Sequence, residues 1–226
     1  MAEKQASQST AIAVLTPEQL AKEAQAMIAK AGSVAGASIR VKNKKFVLPD
    51  GREAETFGAI IVDFINVNEF YQGRYDPKVI APPVCAAKGN DPRNMVPYDE
   101  SPKKQCDNCN DCPNNQFGSE GKGKACKNSI WLAVLPADDL TAEPLTIKLA
   151  PTSTTPFRKY LSQLGGTGRP SFAVVTNFSL DKSVDYAKIQ CGSPEPLSMD
   201  DVAAVMARRA DAIRVLSTPT NFTAAG

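Results

Sequence analysis

Five of the six cysteines lie between positions 85 and 126. Cys106, Cys109 and Cys112 follow one another with two residues between each pair, and Pro113 comes next. Cys126 stands after Phe117-Gly-Ser-Glu-Gly-Lys-Gly-Lys, and Cys85 ends an apolar run upstream. Four thiolates can surround a divalent ion tetrahedrally, and a two-residue spacing lets both sulfurs of a pair face one ion across a tight turn. The stretch has too few large apolar residues for a core of its own, so an ion is a sensible substitute.

Five cysteines compete for four positions. Cys106 with Cys109 and Cys109 with Cys112 are equally good by spacing, and Cys106 with Cys112 stays open. The favoured set is Cys85, Cys109, Cys112 and Cys126. Cys85, arriving from a strand, would pin the loop to the body, and Cys126 would close it just before the apolar run at Ile130. A saturated four-thiolate zinc site has no position for water, so its role is structural. The alternatives are free thiols or an iron–sulfur cluster, and the spacing lacks the usual ferredoxin run. Cys191 lies far along the chain as a lone thiol.

A second chemistry is suggested by cations interleaved with aromatics. Phe70, Tyr71, Arg74 and Tyr75 follow a buried strand; Phe157, Arg158, Lys159 and Tyr160 repeat the mixture, as do Arg40, Lys42, Lys44, Lys45 and Phe46. Unpaired nucleic acid suits such a mixture, because cations track phosphates while flat rings stack on bases for roughly 1–3 kcal/mol each. Each cluster alone equally describes a solvated face beside a core aromatic. Within the cysteine loop Lys122, Lys124 and Lys127 are placed to meet phosphate, and Phe117 and Trp131 join Tyr71 and Tyr75 as stacking candidates. Gly118 to Ala125 nearly matches the phosphate-binding GxxxxGK[ST] pattern. Ala125, however, replaces the hydroxyl residue that would hold magnesium, and no buried strand precedes the loop, so that function is rejected.

The elements that must position these residues read as mainly β with helices at the periphery. Thr16-Pro17-Glu18-Gln19 starts a helix that ends near Gly32, with Leu20, Ala24, Met27 and Ile28 as its apolar stripe. Ile39, Val41, Phe46 and Leu48 flank Asn43-Lys44 as a hairpin. Phe57 to Val67 is a long buried strand. Val79 to Ala87 is expected as an edge strand bent at Pro82-Pro83, followed by strands at Ile130–Leu135 and Leu145–Leu149. Thr155-Pro156 opens a short helix closed at Gly165-Gly166. Ser171 to Phe178 and Asp185 to Ile189 resume strand character. Ser198 to Leu216 forms one helix, with Ser198 and Asp201 approximating a capping box. The division expected is a mobile N-terminus plus helix over 1–33, a β-core over 34–196 with the cysteine loop at 85–127, a packed helix over 197–216 and a loose tail over 217–226. Short strands and peripheral helices point to a small barrel or an α+β sheet.

Composition narrows the function. The chain has 226 residues, 42% hydrophobic and 22% charged, which is enough to bury a real core. A formal net charge of +2 means that any basic surface is local. Histidine is absent, which excludes histidine triads, histidine general bases and mixed Cys/His zinc sites. No apolar run approaches the roughly 18 residues of a membrane span, and the polar N-terminus lacks a signal core. A cytoplasmic, reducing location is expected, where clustered cysteines favour metal over disulfides. A metal-dependent nuclease would need clustered acids or an open zinc site; Asp138-Asp139, Asp200-Asp201 and Glu195 fall at turns and a helix cap. A protein adaptor docking through the cysteine loop is the alternative to nucleic-acid binding.

Pro83-Val84-Cys85, the run Gln105 to Ser119 with Cys109, Cys112 and Pro113, and Gly121 to Lys127 resemble the zinc-containing single-stranded-DNA-binding proteins of tailed bacteriophages. Tyr160-Leu161, Gly168-Arg-Pro170 and Val174-Val-Thr176 are also similar, so the resemblance runs from about Val41 to Leu216. In that pattern the position of Cys106 is not a fixed cysteine. The resemblance implies an OB-like barrel carrying a zinc loop, non-enzymatic, coating strands exposed in DNA replication or recombination in the host cytoplasm, with other replication or recombination proteins as partners. Two departures stand out. Thr218 to Gly226 contains no acid, so recruitment through an acidic tail is not expected. The chain also lacks the histidine ligand that some members use, so its site must be all thiolate.

Overall fold

The computed structural model describes Thr16 and residues 37–73 and 81–223. The helix expected after Thr16, the site candidates Arg74 and Tyr75, and the start of the strand expected from Val79 lie outside them. The chain divides into two compact units at Val34 and Ala35, and the second contains everything discussed below.

Nine strands form one sheet: β1 (Ser38–Lys42), β2 (Lys45–Val47), β3 (Glu53–Ala54), β4 (Thr56–Phe70), β5 (Cys85–Gly89), β6 (Lys127–Pro136), β7 (Leu145–Leu149), β8 (Val174–Leu180) and β9 (Ile189–Pro196). Among the described residues three α-helices accompany them: α1 (Pro151–Gly166), α2 (Met199–Ala207) and α3 (Arg209–Leu216). The sheet runs β3-β2-β1-β7-β6-β4-β8-β9, with β5 paired to β4 off this path. It curls strongly into a half-barrel, so the fold is mainly β and consistent with an OB-like architecture.

β4 is the spine. β6 pairs along its length from Ala59 to Glu69, while its other side is shared by β8 at Thr56–Ala59 and β5 at Asn66–Phe70. The pairing with β6 shifts register between Ile61 and Asp63. One extra residue in a strand bends it and increases its twist, which suits a sheet that must curl. Both faces are covered. On one, Ile61, Leu132, Ile147 and Phe178 pack with Phe157, Tyr160 and Leu164 of α1. On the other, Ile60, Val62, Ala133 and Leu135 pack with Val205, Ala212 and Leu216 of α2 and α3. That double burial is why Phe57 to Val67 reads as a nearly continuous apolar run.

Several elements differ from expectation. α1 starts at Pro151, not Thr155; Pro151 occupies the first turn and Pro156 lies inside the helix, so two prolines competed for the same start signal. Of the strand expected over 79–87, the described residues 81–84 are not strand and β5 begins at Cys85, beyond Pro82-Pro83. Ser171–Ala173 is a 3-10 turn and β8 starts at Val174. The strand expected at Asp185–Ile189 lies further on, at Ile189–Pro196. Lys188 is instead drawn back to Asp181, and the Asp181 N–H donates to the Lys188 carbonyl. The single helix expected over 198–216 breaks at Arg208, whose backbone leaves helical values (φ −90°, ψ 1°). Its guanidinium reaches the Thr141 carbonyl, Glu143 and Asp211. The hairpin turn at Asn43-Lys44 forms as expected, both residues with positive φ as a type I′ turn requires.

Candidate metal centre and nucleic-acid groove

Residues 90–126, between β5 and β6, contain only one 3-10 turn, Pro113–Asn115. Hydrogen bonds from polar side chains and isolated backbone groups take the place of regular structure. The Tyr98 N–H donates to the Ala86 carbonyl and Lys103 to Val84, each at 2.8 Å, tying the loop to β5. Cys109 donates to Met95 at 2.9 Å and Cys126 to Asn114 at 2.8 Å. Ser119 Oγ donates to the Asn114 and Gln116 carbonyls and accepts from the Ala125 N–H. Asn and Gln carry two donors and an acceptor each, which explains their abundance in a loop that must satisfy its own backbone.

This scaffold brings all five clustered thiols to one cavity, where Cys85, Cys106, Cys109, Cys112 and Cys126 join Asn68 and Asn115. The space left is about 10 Å³, roughly one water-sized sphere. Cys85, Cys109, Cys112 and Cys126 are buried, and Cys106 is partly exposed, with its thiol donating to the Asn108 carbonyl at 3.0 Å. Burial pushes the Cys126 thiol up to about 12, reinforced by the charges of Cys109, Cys112 and Cys85. Burial also lifts Cys106 to about 12, followed by its hydrogen bond to Cys112. Cys109 moves up for the same first reason, opposed by a hydrogen bond with Asn68. Among the described residues no three His, Cys, Asp or Glu side chains are arranged as a ready ion-binding group. The sulfurs share a cavity without being closed on a common centre. The donor set nonetheless fits a thiophilic divalent ion: soft ligands, buried, around space for one atom. Cys191 lies apart on β9, half-buried, and burial raises it to about 12.

Two open clefts of about 580 and 620 Å³ lie side by side, the second lined in part by the thiol loop. Lys127, Ser129, Ala150 and Pro151 line both, so the two adjoin on one grooved face. The first cleft carries Tyr71, Trp131, Arg40, Lys148 and Glu69. The second carries Phe117, Lys124, Arg93, Arg158 and the threonines that open α1. At the junction lies the N-terminus of α1, with no side-chain cap and no acid in its first turn, so its backbone N–H groups add positive potential to the groove.

The side chains expected to bind nucleic acid are not equally available there. Phe117 is 82% exposed, with the Lys124 ammonium 5.1 Å from its ring centroid. Lys127 is paired with Glu120, and Lys122 sits exposed at the loop tip outside both clefts. Tyr71 is half-buried and its hydroxyl donates to Glu69 Oε2 at 3.1 Å. Burial and then the Glu69 charge raise its pKa. Glu69, only 4% exposed, also accepts from Lys148 Nζ at 2.5 Å. Trp131 is half-buried, with Lys88 at 4.0 Å and Lys148 at 5.4 Å from its ring centroid, so ammonium groups already occupy its surroundings. Phe46, Phe157 and Tyr160 are core residues; of their clusters only the cations Arg40 and Arg158 reach the groove. Lys148, on β7, and Arg93, within the loop itself but beside no aromatic residue, had no signal beyond their charge.

Comparison with family models, with curated proteins and with solved structures gave no match.

Proposed function

We propose that this protein binds single-stranded DNA without sequence preference, through an OB-like half-barrel whose groove is walled on one side by a zinc-held loop. The observation that carries the proposal is the adjacency of the two clefts, which share Lys127, Ser129, Ala150 and Pro151 as lining. It sets Arg40 and Lys148 towards one end, Lys124 and Arg158 towards the other, and a ring at each end in Tyr71 and Phe117. Cations following the backbone and rings accepting bases is the composition that unpaired strands require. A duplex would present paired, stacked bases to the same rings and could not use them.

Zinc would be held by Cys85, Cys109, Cys112 and Cys126. Its contribution is charge that keeps the thiolates deprotonated, reversing the upward shifts that burial imposes, and a fixed shape for residues that otherwise rely on hydrogen bonds. The chain's own residues do the binding. Lys124, Lys148, Arg40 and Arg158 meet phosphate, and Phe117 and Tyr71 meet bases. No chemical step is assigned, and the reading is non-enzymatic. Coating of strands exposed in replication or recombination, alongside the other proteins of those processes, is the setting this chemistry serves.

Fluorescence titration with oligo-dT at several salt concentrations tests the proposal. With about four phosphates neutralised, log affinity falls with log salt at a slope of roughly −3. Duplex of the same length binds far more weakly. Absent or salt-independent binding overturns the proposal, and stoichiometric capture of a protein with no response to DNA would favour the adaptor instead.

A further inference from the structure

The thiol cavity and the groove are not separate sites: Asn68, Asn115 and Cys126 line both. Asn115 is the most connected of the three. It ends the 3-10 turn that follows Cys112 and is only 8% exposed. Its Nδ2–H donates to the Cys109 carbonyl at 2.7 Å, which fixes the amide plane to the backbone of a thiol residue. Its Oδ1 then faces the other way, accepting from Asn128 Nδ2 at 2.9 Å and from Lys124 Nζ at 3.4 Å. Asn128 is braced in turn, donating to Asn68 Oδ1 at 2.6 Å. Lys124 is the cation beside the Phe117 ring.

The geometry points to Asn115 as a positioning residue for single-stranded DNA: anchored on Cys109, its buried amide holds the Lys124 ammonium over the groove beside Phe117. This rests on the function proposed above and deepens it. A lysine has a long, rotamer-rich side chain, and ordering it on binding costs affinity. A buried acceptor with its own orientation fixed by a backbone carbonyl removes part of that cost in advance. Aspartate could not substitute without change, because it has no donor for the Cys109 carbonyl and would tie Lys124 as a closed ion pair.

The test compares intact protein, Asn115→Ala, Lys124→Ala and the double variant, each titrated with oligo-dT across salt concentrations and assayed for bound zinc. Asn115→Ala is expected to weaken binding about 5-fold with little change of salt slope, because Lys124 keeps its charge and loses only its pre-ordering. Lys124→Ala should weaken binding at least as much and flatten the slope by about 0.7, one phosphate's worth on a single strand, and the double variant should lose no more than Lys124→Ala alone, since the two act as a unit. Zinc content should be unchanged throughout. If Asn115→Ala does not fold, Asn115→Asp carries the test, with weaker binding and a flatter slope expected. An intact protein that fails to bind DNA removes the functional proposal itself. An intact protein that binds while Asn115→Ala and Asn115→Asp keep its affinity overturns the role of Asn115. Additive losses in the double variant, or loss of zinc from Asn115→Ala, also overturn it, because Asn115 would then act independently of Lys124 or through the cage.

Discussion

The sheet and the thiol loop are held together by different physics. In the sheet, Phe46 meets Phe57 edge to face and Phe57 stacks on Phe178, with ring centroids 4.7 and 5.0 Å apart, and both faces are closed by helices. In residues 90–126 the buried apolar residues cluster no further than Met95 and Cys109 against Ala87 of β5, and stability comes from side-chain-to-backbone hydrogen bonds worth about 1 kcal/mol net apiece. Apolar burial is cumulative and tolerant of partial loss. A hydrogen-bonded loop around a sulfur cavity has few apolar contacts to fall back on. The comparison teaches where to expect cooperative collapse and where to expect local failure.

The sharpest way to break the sheet is at its centre. Phe178→Ala should cost about 3–5 kcal/mol, lowering the urea midpoint of the whole second unit and abolishing DNA binding with the fold. The loop should break separately. Cys112→Ser should drop bound zinc from one per chain towards none and expose residues 90–126 to protease, while the circular dichroism of the sheet persists; Cys106→Ser should retain the metal. Equal metal loss in both variants would mean that Cys106 is a ligand.

A third prediction concerns the seam between the regions, where Lys88 of β5 faces Trp131 of β6. Burial, with Lys148 adding to it and Glu69 opposing it, lowers the Lys88 pKa from 10.5 to about 8. The unfolded chain therefore holds more protons between pH 8 and 10.5, and stability from this group rises with pH across that window. The penalty is fully present below pH 8. Subtracting the pH profile of Lys88→Met should isolate that slope, and Trp131 emission should titrate near pH 8 in the wild type alone. The smallest effect is expected at the loop tip: Lys122→Ala should leave salt slope, metal content and melting temperature unchanged. A slope flatter by about 0.7, one phosphate's worth, would place the tip inside the binding path.

Much of the sheet was legible. The buried run at 57–67, the Asn43-Lys44 turn and the apolar run at Ile130 each follow from local periodicity or backbone preference, and each forms. Errors cluster where two local signals competed, as with Pro151 and Pro156, or where a long-range contact overrode propensity, as at Arg208. Cysteine spacing indicated that these thiols would gather, because ligand geometry constrains spacing, and five of them line one cavity. It could not say where Cys106 would sit, since three cysteines at equal intervals are equivalent until the chain folds around them.

Residue types and intervals, taken alone, determined a β-rich core, a thiol-dependent loop and the supply of cations and rings, because these depend on neighbours a few positions apart. Only the tertiary structure decided which of them meet. It buried Phe157 and Tyr160 while turning Arg158 to the groove. It also brought Lys148 to Glu69 across 79 positions and set Asn115 between Cys109 and Lys124. Those placements follow from the curl of one sheet about β4, and no local pattern encodes a curvature that nine strands produce together.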